Sequence, residues 1–315
     1  MELVRAHQIP FEELLNETID VLIAACGNVS HSIHLTQAIN FKAKKKIALL
    51  FNEKDQEIAT CEDSKNIFKE NGFECYQLNS GSSSEILSVL DTLCENGKCE
   101  NIKLVVDYSS MSKMWYGTII NYFAFNDLDY NNLIVYFCYT PEHFVPPAAR
   151  KEKLSKPEPV FTNTPSINEG KPLSLIIGLG CDESKAEFLC DFFKPDDVYF
   201  FLPNPSFDED STKMAKTNNK RILSDVRASH LLQYPAKNIE EIDSKLTSLC
   251  LNLRLTSRII LISLGPKTFS LASFLLNARY PDIEIWNLST VENSIDLKPS
   301  GTPIVYKALL TNEDF

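Results

Sequence analysis

The chain has 315 residues, 44% of them hydrophobic and 23% charged, with 42 acids against 31 lysines and arginines and a formal net charge of −11. That balance describes a globular protein long enough for about two domains, and it excludes a disordered or low-complexity chain. The acidity also disfavours an extended nucleic-acid partner, whose phosphates it repels at long range, while a small anionic ligand held in a pocket stays compatible.

No run approaches the roughly 18 apolar residues of a membrane span, and the opening MELVRAHQIPFEELL carries acids where a secretory leader needs an apolar stretch. A cytoplasmic protein with no membrane partner is therefore expected. The nine cysteines are odd in number, and Cys26, Cys94, Cys138, Cys181, Cys190 and Cys250 sit in or beside apolar runs, as free thiols do. Neither Cys26 with His31 and His34, nor Cys94 with Cys99, has paired metal-ligand spacing, so no metal is expected.

In chain order, residues 1–17 read as a leading arm with one short helix near 11–15. A strand over 21–25 leads through the turn CGNVSHS into a helix reaching residue 39. The run KAKKK at 42–46 reads as a solvated helix end before a second strand at 47–51. A helix over 58–71, the strand ECYQL and a helix over 84–95 follow. A central strand then passes through the turn DYSSMSK into an apolar helix, and a fifth strand spans 133–139. Short apolar strands alternating with helical patterns mark a parallel sheet covered on both faces. From 143 to 172 six prolines and the charged run RKEKLSK interrupt the pattern, which reads as an extended connector.

Residues 173–315 then replay the first 142. Lys113 and Lys267 fall 154 positions apart (267 − 113), as do Ile23 and Ile177, and the helix EILSVLDTLC returns as EIDSKLTSLC, identical at six of ten positions. The expected fold is α/β: two tandem Rossmann-like units with mainly parallel sheets, related by internal duplication, with boundaries 1–142, 143–172 and 173–315, the last carrying a C-terminal extension.

In such sheets ligands bind at the carboxyl ends of the strands, near the switch in strand order. The turns that reach this edge supply Asn28, Ser30, Ser109, Ser110 and Lys113 in one half, and Asp182, Ser184, Gly265 and Lys267 in the other. Hydroxyls, amide N–H groups and lysine suit phosphate or ribose oxygens, and small residues permit close approach. The same serines also serve as ordinary turn and helix caps. There is no G-x-G-x-x-G or P-loop sequence, so no cofactor is expected. Asp107, whose counterpart is Leu261, is the candidate catalytic acid or base, near Ser109, Ser110 and His31; its alternative role is to cap the turn or pair with Lys113.

Two such units, with a lysine closing the turn after each central strand, resemble the CARF domains and their fused double form, the SAVED domain. The turns here are SSMSK and LGPK, which keep the lysines but lack the paired glycines of the glycine-threonine-lysine turn typical of those families. The resemblance implies a module that binds a cyclic oligonucleotide between two halves, works in bacterial antiviral defence and signals to a protein partner carrying the effector activity. An enzyme acting on a nucleotide or nucleoside through Asp107, and a structural interaction subunit with no ligand, are the open alternatives.

Overall fold

A computed structural model describes residues 1–27, 29–38, 43–52, 62–79, 81–94, 99–126, 128–146, 155–161, 170–288 and 298–312. The elements are, in order, β1 (Glu2–Ile9), α1 (Phe11–Leu15), β2 (Val21–Cys26), α2 (Val29–Ser32), α3 (His34–Ala38), β3 (Lys45–Phe51), α4 (Glu62–Glu70), β4 (Glu74–Leu78), α5 (Ser83–Cys94), β5 (Cys99–Asp107), α6 (Lys113–Phe125) and β6 (Tyr130–Tyr139). There follow β7 (Glu158–Pro159), β8 (Leu173–Gly178), α7 (Lys185–Phe193), β9 (Asp197–Pro203), α8 (Glu209–Asn218), α9 (Lys220–Asp225), β10 (Leu231–Tyr234), α10 (Ile239–Leu253), β11 (Arg258–Ser263), α11 (Lys267–Arg279), β12 (Glu284–Asn287) and β13 (Ile304–Thr311). The chain divides into one unit of Met1–His143 with Glu292–Phe315 and a second of Phe144–Val291.

The first sheet has seven strands in the order β1-β13-β6-β5-β2-β3-β4, and the second has six in the order β10-β9-β8-β11-β12-β7. Five parallel strands in each follow one plan. The first of the five, β2 or β8, sits in the middle; the next two strands extend to one side and the last two to the other. This is the Rossmann-like arrangement, twice. The apolar runs explain it: β2, β8 and β11 are buried at every position but the first, as strands covered by helices on both faces must be.

Four expectations need correction. The leading arm is a strand, β1, paired antiparallel with β13. β13, expected as an extension of the second half, lies in the first sheet between β1 and β6, because its alternate backbone edges satisfy the donors and acceptors of both. The connector contributes β7, whose Glu158 and Pro159 pair with the end of β12; an edge position tolerates a proline that lacks an N–H. The helix expected after β2 is two short ones, α2 and α3, and the predicted helix start at residue 58 lies outside the described residues.

Ion pairs fasten the amino edge of each sheet. Arg258 grips Glu284 on the neighbouring strand through Nε at 2.5 Å and Nη2 at 2.8 Å. In the first unit Lys103 pairs with Glu17, whose carboxyl is held below its ordinary range chiefly by that hydrogen bond. Strand starts are therefore tied by charge, and the carboxyl edges are left to the turns.

Candidate functional site

The strand order reverses between β2 and β5 in the first unit, and between β8 and β11 in the second, so the turns that follow these strands share one edge of each sheet. In the first unit they touch: a Cβ placed on buried Gly27 would lie 3.1 Å from Ser110 Cβ. Ser30 lies in α2, and Asn28 falls outside the described residues.

Asp107 ends β5 with its side chain buried. Its Oδ1 accepts from the Ser109 hydroxyl at 2.5 Å and from the Ser109 backbone N–H at 3.1 Å, and Ser109 Oγ accepts in turn from the N–H of Thr140 at 2.8 Å. The carboxylate thus braces the turn and, through Ser109, the segment leaving β6. Burial first, with the Asp107 charge added, pushes the Cys138 thiol well above its ordinary value and keeps it neutral.

His31 is buried against the same segment. Its Nε2 lies 2.8 Å from the Thr140 carbonyl, which can only accept, so that nitrogen carries a proton. In the neutral ring the Nδ1 lone pair is then left to Ser110 Oγ, 3.5 Å away. The structure brings Ser110 to His31 and Asp107 to Ser109. Thr140 Oγ1 is itself buried and has no hydrogen-bond partner among the described residues. Lys113 is half-buried and is the first residue of α6, immediately after the N-cap Ser112, whose hydroxyl accepts from the Trp115 N–H at 3.3 Å.

The second unit repeats the lysine but changes its surroundings. Lys267, half-buried, is the first residue of α11, a helix of 13 residues like α6. Gly265 and Gly180 let the two turns meet backbone to backbone: a Cβ on Gly265 would fall 2.3 Å from Leu179 O, and one on Gly180 would fall 2.1 Å from Leu264 O. Gly265 therefore packs one turn on the other. Beside it, the fully buried Tyr234 hydroxyl has no hydrogen-bond partner among the described residues, nor has Thr268 Oγ1 in the first turn of α11. Burial pushes the Tyr234 phenol far above its ordinary value, so it stays a donor. Both hydroxyls are closed to solvent, so an internal water is what would satisfy them.

Asp182 pairs with Lys185, Oδ2 to Nζ 3.1 Å, and Ser184 between them is exposed with φ at 65° and no capping bond to α7. Lys185 was not among the sequence candidates. It is a lysine buried at the first position of a helix, where the dipole disfavours a cation and Asp182 offsets that cost; its alignment with His31 is the one sequence signal that singles it out. Ser263 accepts from the Ser270 hydroxyl at 2.7 Å and acts as a structural link.

Among the described residues, no group of three or more His, Cys, Asp or Glu side chains is placed to hold a metal, and no helix is long and apolar enough to cross a membrane. Comparison of the sequence with protein-family models and with curated proteins finds no match.

Proposed function

We propose that the chain is a nucleotide-sensing module, taking a small phosphate-bearing ligand of the cyclic-oligonucleotide class at its lysine turns. Acting in the cytoplasm in antiviral defence, with a protein partner carrying the effector activity, is part of this reading, which rests on the CARF- and SAVED-like turns. One observation carries it. In each unit a lysine is the first residue of the helix that follows β5 or β11, the strand beside the switch in strand order. Helix-end N–H groups, an ammonium and nearby hydroxyls form a set of donors with an affinity for phosphate oxygens.

Lys113→Ala and Lys267→Ala are each expected to weaken binding by about 1–3 kcal/mol, the scale of a lost charge-assisted hydrogen bond, with folding stability kept. Calorimetry with a panel of cyclic and linear oligonucleotides measures this. If the parent chain binds none of them, the structural-subunit reading takes its place.

A second reading, an enzyme that hydrolyses or transfers a nucleotide, is favoured by the contact of His31 with Ser110. His31, oriented by the Thr140 carbonyl, would act as base toward the Ser110 hydroxyl, with Asp107 bracing the turn. Ser110→Ala should then abolish turnover while binding persists. Chromatography of the ligand after prolonged incubation decides: a ligand recovered unchanged from the parent chain rules out turnover of that ligand.

A further inference from the structure

We infer that the second unit carries a separate groove for a free nucleoside phosphate, distinct from the lysine turns. The groove has a volume of about 580 Å³, inside the range of roughly 300–1,000 Å³ typical of small-molecule sites. It is formed by the loops that follow β9 and β10, so it opens at the carboxyl edge of the sheet.

Its walls are preformed. The Asn204 N–H donates to Tyr234 O at 2.7 Å, and the Ala236 N–H donates to Pro205 O at 2.9 Å, which fastens the two loops together. The Ser206 N–H donates to Thr212 Oγ1 at 2.8 Å, and the Ser211 N–H donates to the Asp208 carboxylate at 2.7 Å, which fixes the first loop on α8. A ligand entering such a groove does not have to order its backbone first.

The lining has two characters. Pro205, Phe207 and Pro235 supply apolar faces against which a planar base can pack. Lys213 and Lys216, three residues apart on α8, and Lys237 after β10 supply ammonium groups. Lys216 Nζ donates to Asn204 Oδ1 at 3.0 Å, which holds it beside the loop. Against Asp208 and Glu209, three lysines leave the lining at a formal +1, in a chain whose net charge is −11. The Asp208 carboxylate is bound to the N-terminus of α8, which offsets part of its charge. The two carboxylates can accept from ribose hydroxyls or a base amino group. Inorganic phosphate would use only the lysines and a nucleoside only the apolar faces and acids; a nucleoside phosphate uses all three.

The test is calorimetry on the full chain with the four ribonucleoside 5′-monophosphates, the matching nucleosides, inorganic phosphate and a short single-stranded oligonucleotide. At least one monophosphate is expected to bind, with its nucleoside and phosphate alone each at least tenfold weaker. The double variant Lys213→Ala/Lys216→Ala and the single variant Phe207→Leu should each weaken binding at least tenfold at an unchanged melting temperature. Lys113→Ala and Lys267→Ala should bind the monophosphate as the parent does, so failure of the sensing reading leaves this result standing. The inference is overturned if no monophosphate binds, if only the oligonucleotide binds, if the groove variants bind normally, or if the lysine-turn variants lose binding instead.

Discussion

Gly265→Ala is expected to destabilise the second unit by about 3 kcal/mol, the upper end of the usual cost of forcing extra volume into a packed site. The added methyl would sit 2.3 Å from the carbonyl oxygen of Leu179, and that obstacle is backbone, which cannot rotate aside as a side chain would. Relief requires the turns after β8 and β11 to separate, which also displaces the first turn of α11 with Lys267 and Thr268. Gly180→Ala meets Leu264 O at 2.1 Å and should behave alike, while Gly81→Ala, with open space around its new methyl, should stay within about 0.5 kcal/mol of the parent. Urea denaturation of the three variants is the measurement. Equal stabilities would show that the two turns are not in backbone contact, and the account of Gly265 as a packing residue would fail.

Trp115→Ala should cost about 3–5 kcal/mol, the range for removing a buried aromatic ring. The indole is fully buried and stacked on Phe51, with ring centroids 4.2 Å apart and planes 17° from parallel, and its Nε1 donates to Asn79 O at 3.1 Å. It thus ties the start of α6 to β3 and to the end of β4. Because Lys113 lies two residues before it, the same substitution should loosen the helix end that presents the ammonium. Trp115→Phe keeps most of the stacking and loses the hydrogen bond, for about 1 kcal/mol. Denaturation midpoints separate the two, and a Trp115→Ala loss no larger than that of Trp115→Phe would mean the ring does not anchor the helix.

The parallel core was legible because its signals are local. VLIAAC and IILI are apolar throughout, as a short strand covered on both faces requires, and the helical patterns between them announce the crossovers. The antiparallel edges were not. ELVRAHQI mixes buried Leu3 and Ile9 with exposed polar residues, and its partner lies at the other end of the chain, so no short window reports the pairing. The candidate site divides the same way. Lysines placed after a central strand could be read from spacing, whereas the partners of Asp107 and His31 converge on Thr140, which follows a different strand. At Gly265 the sequence suggests close approach by a ligand, whereas the approaching group is Leu179 O, a neighbour set by the adjacency of β8 and β11 rather than by sequence.

The pairing of Glu2 with Thr311 has a consequence for biosynthesis. Along the polypeptide the second unit is nested inside the first, so a ribosome finishes the whole inserted unit before it releases the strand that joins β1 to β6. Until then both strands expose a row of unmatched amides, the kind of edge that recruits other chains. The inserted unit can fold as it emerges, but the sheet begun first is completed last, so the nascent first unit is the segment most in need of protection from aggregation.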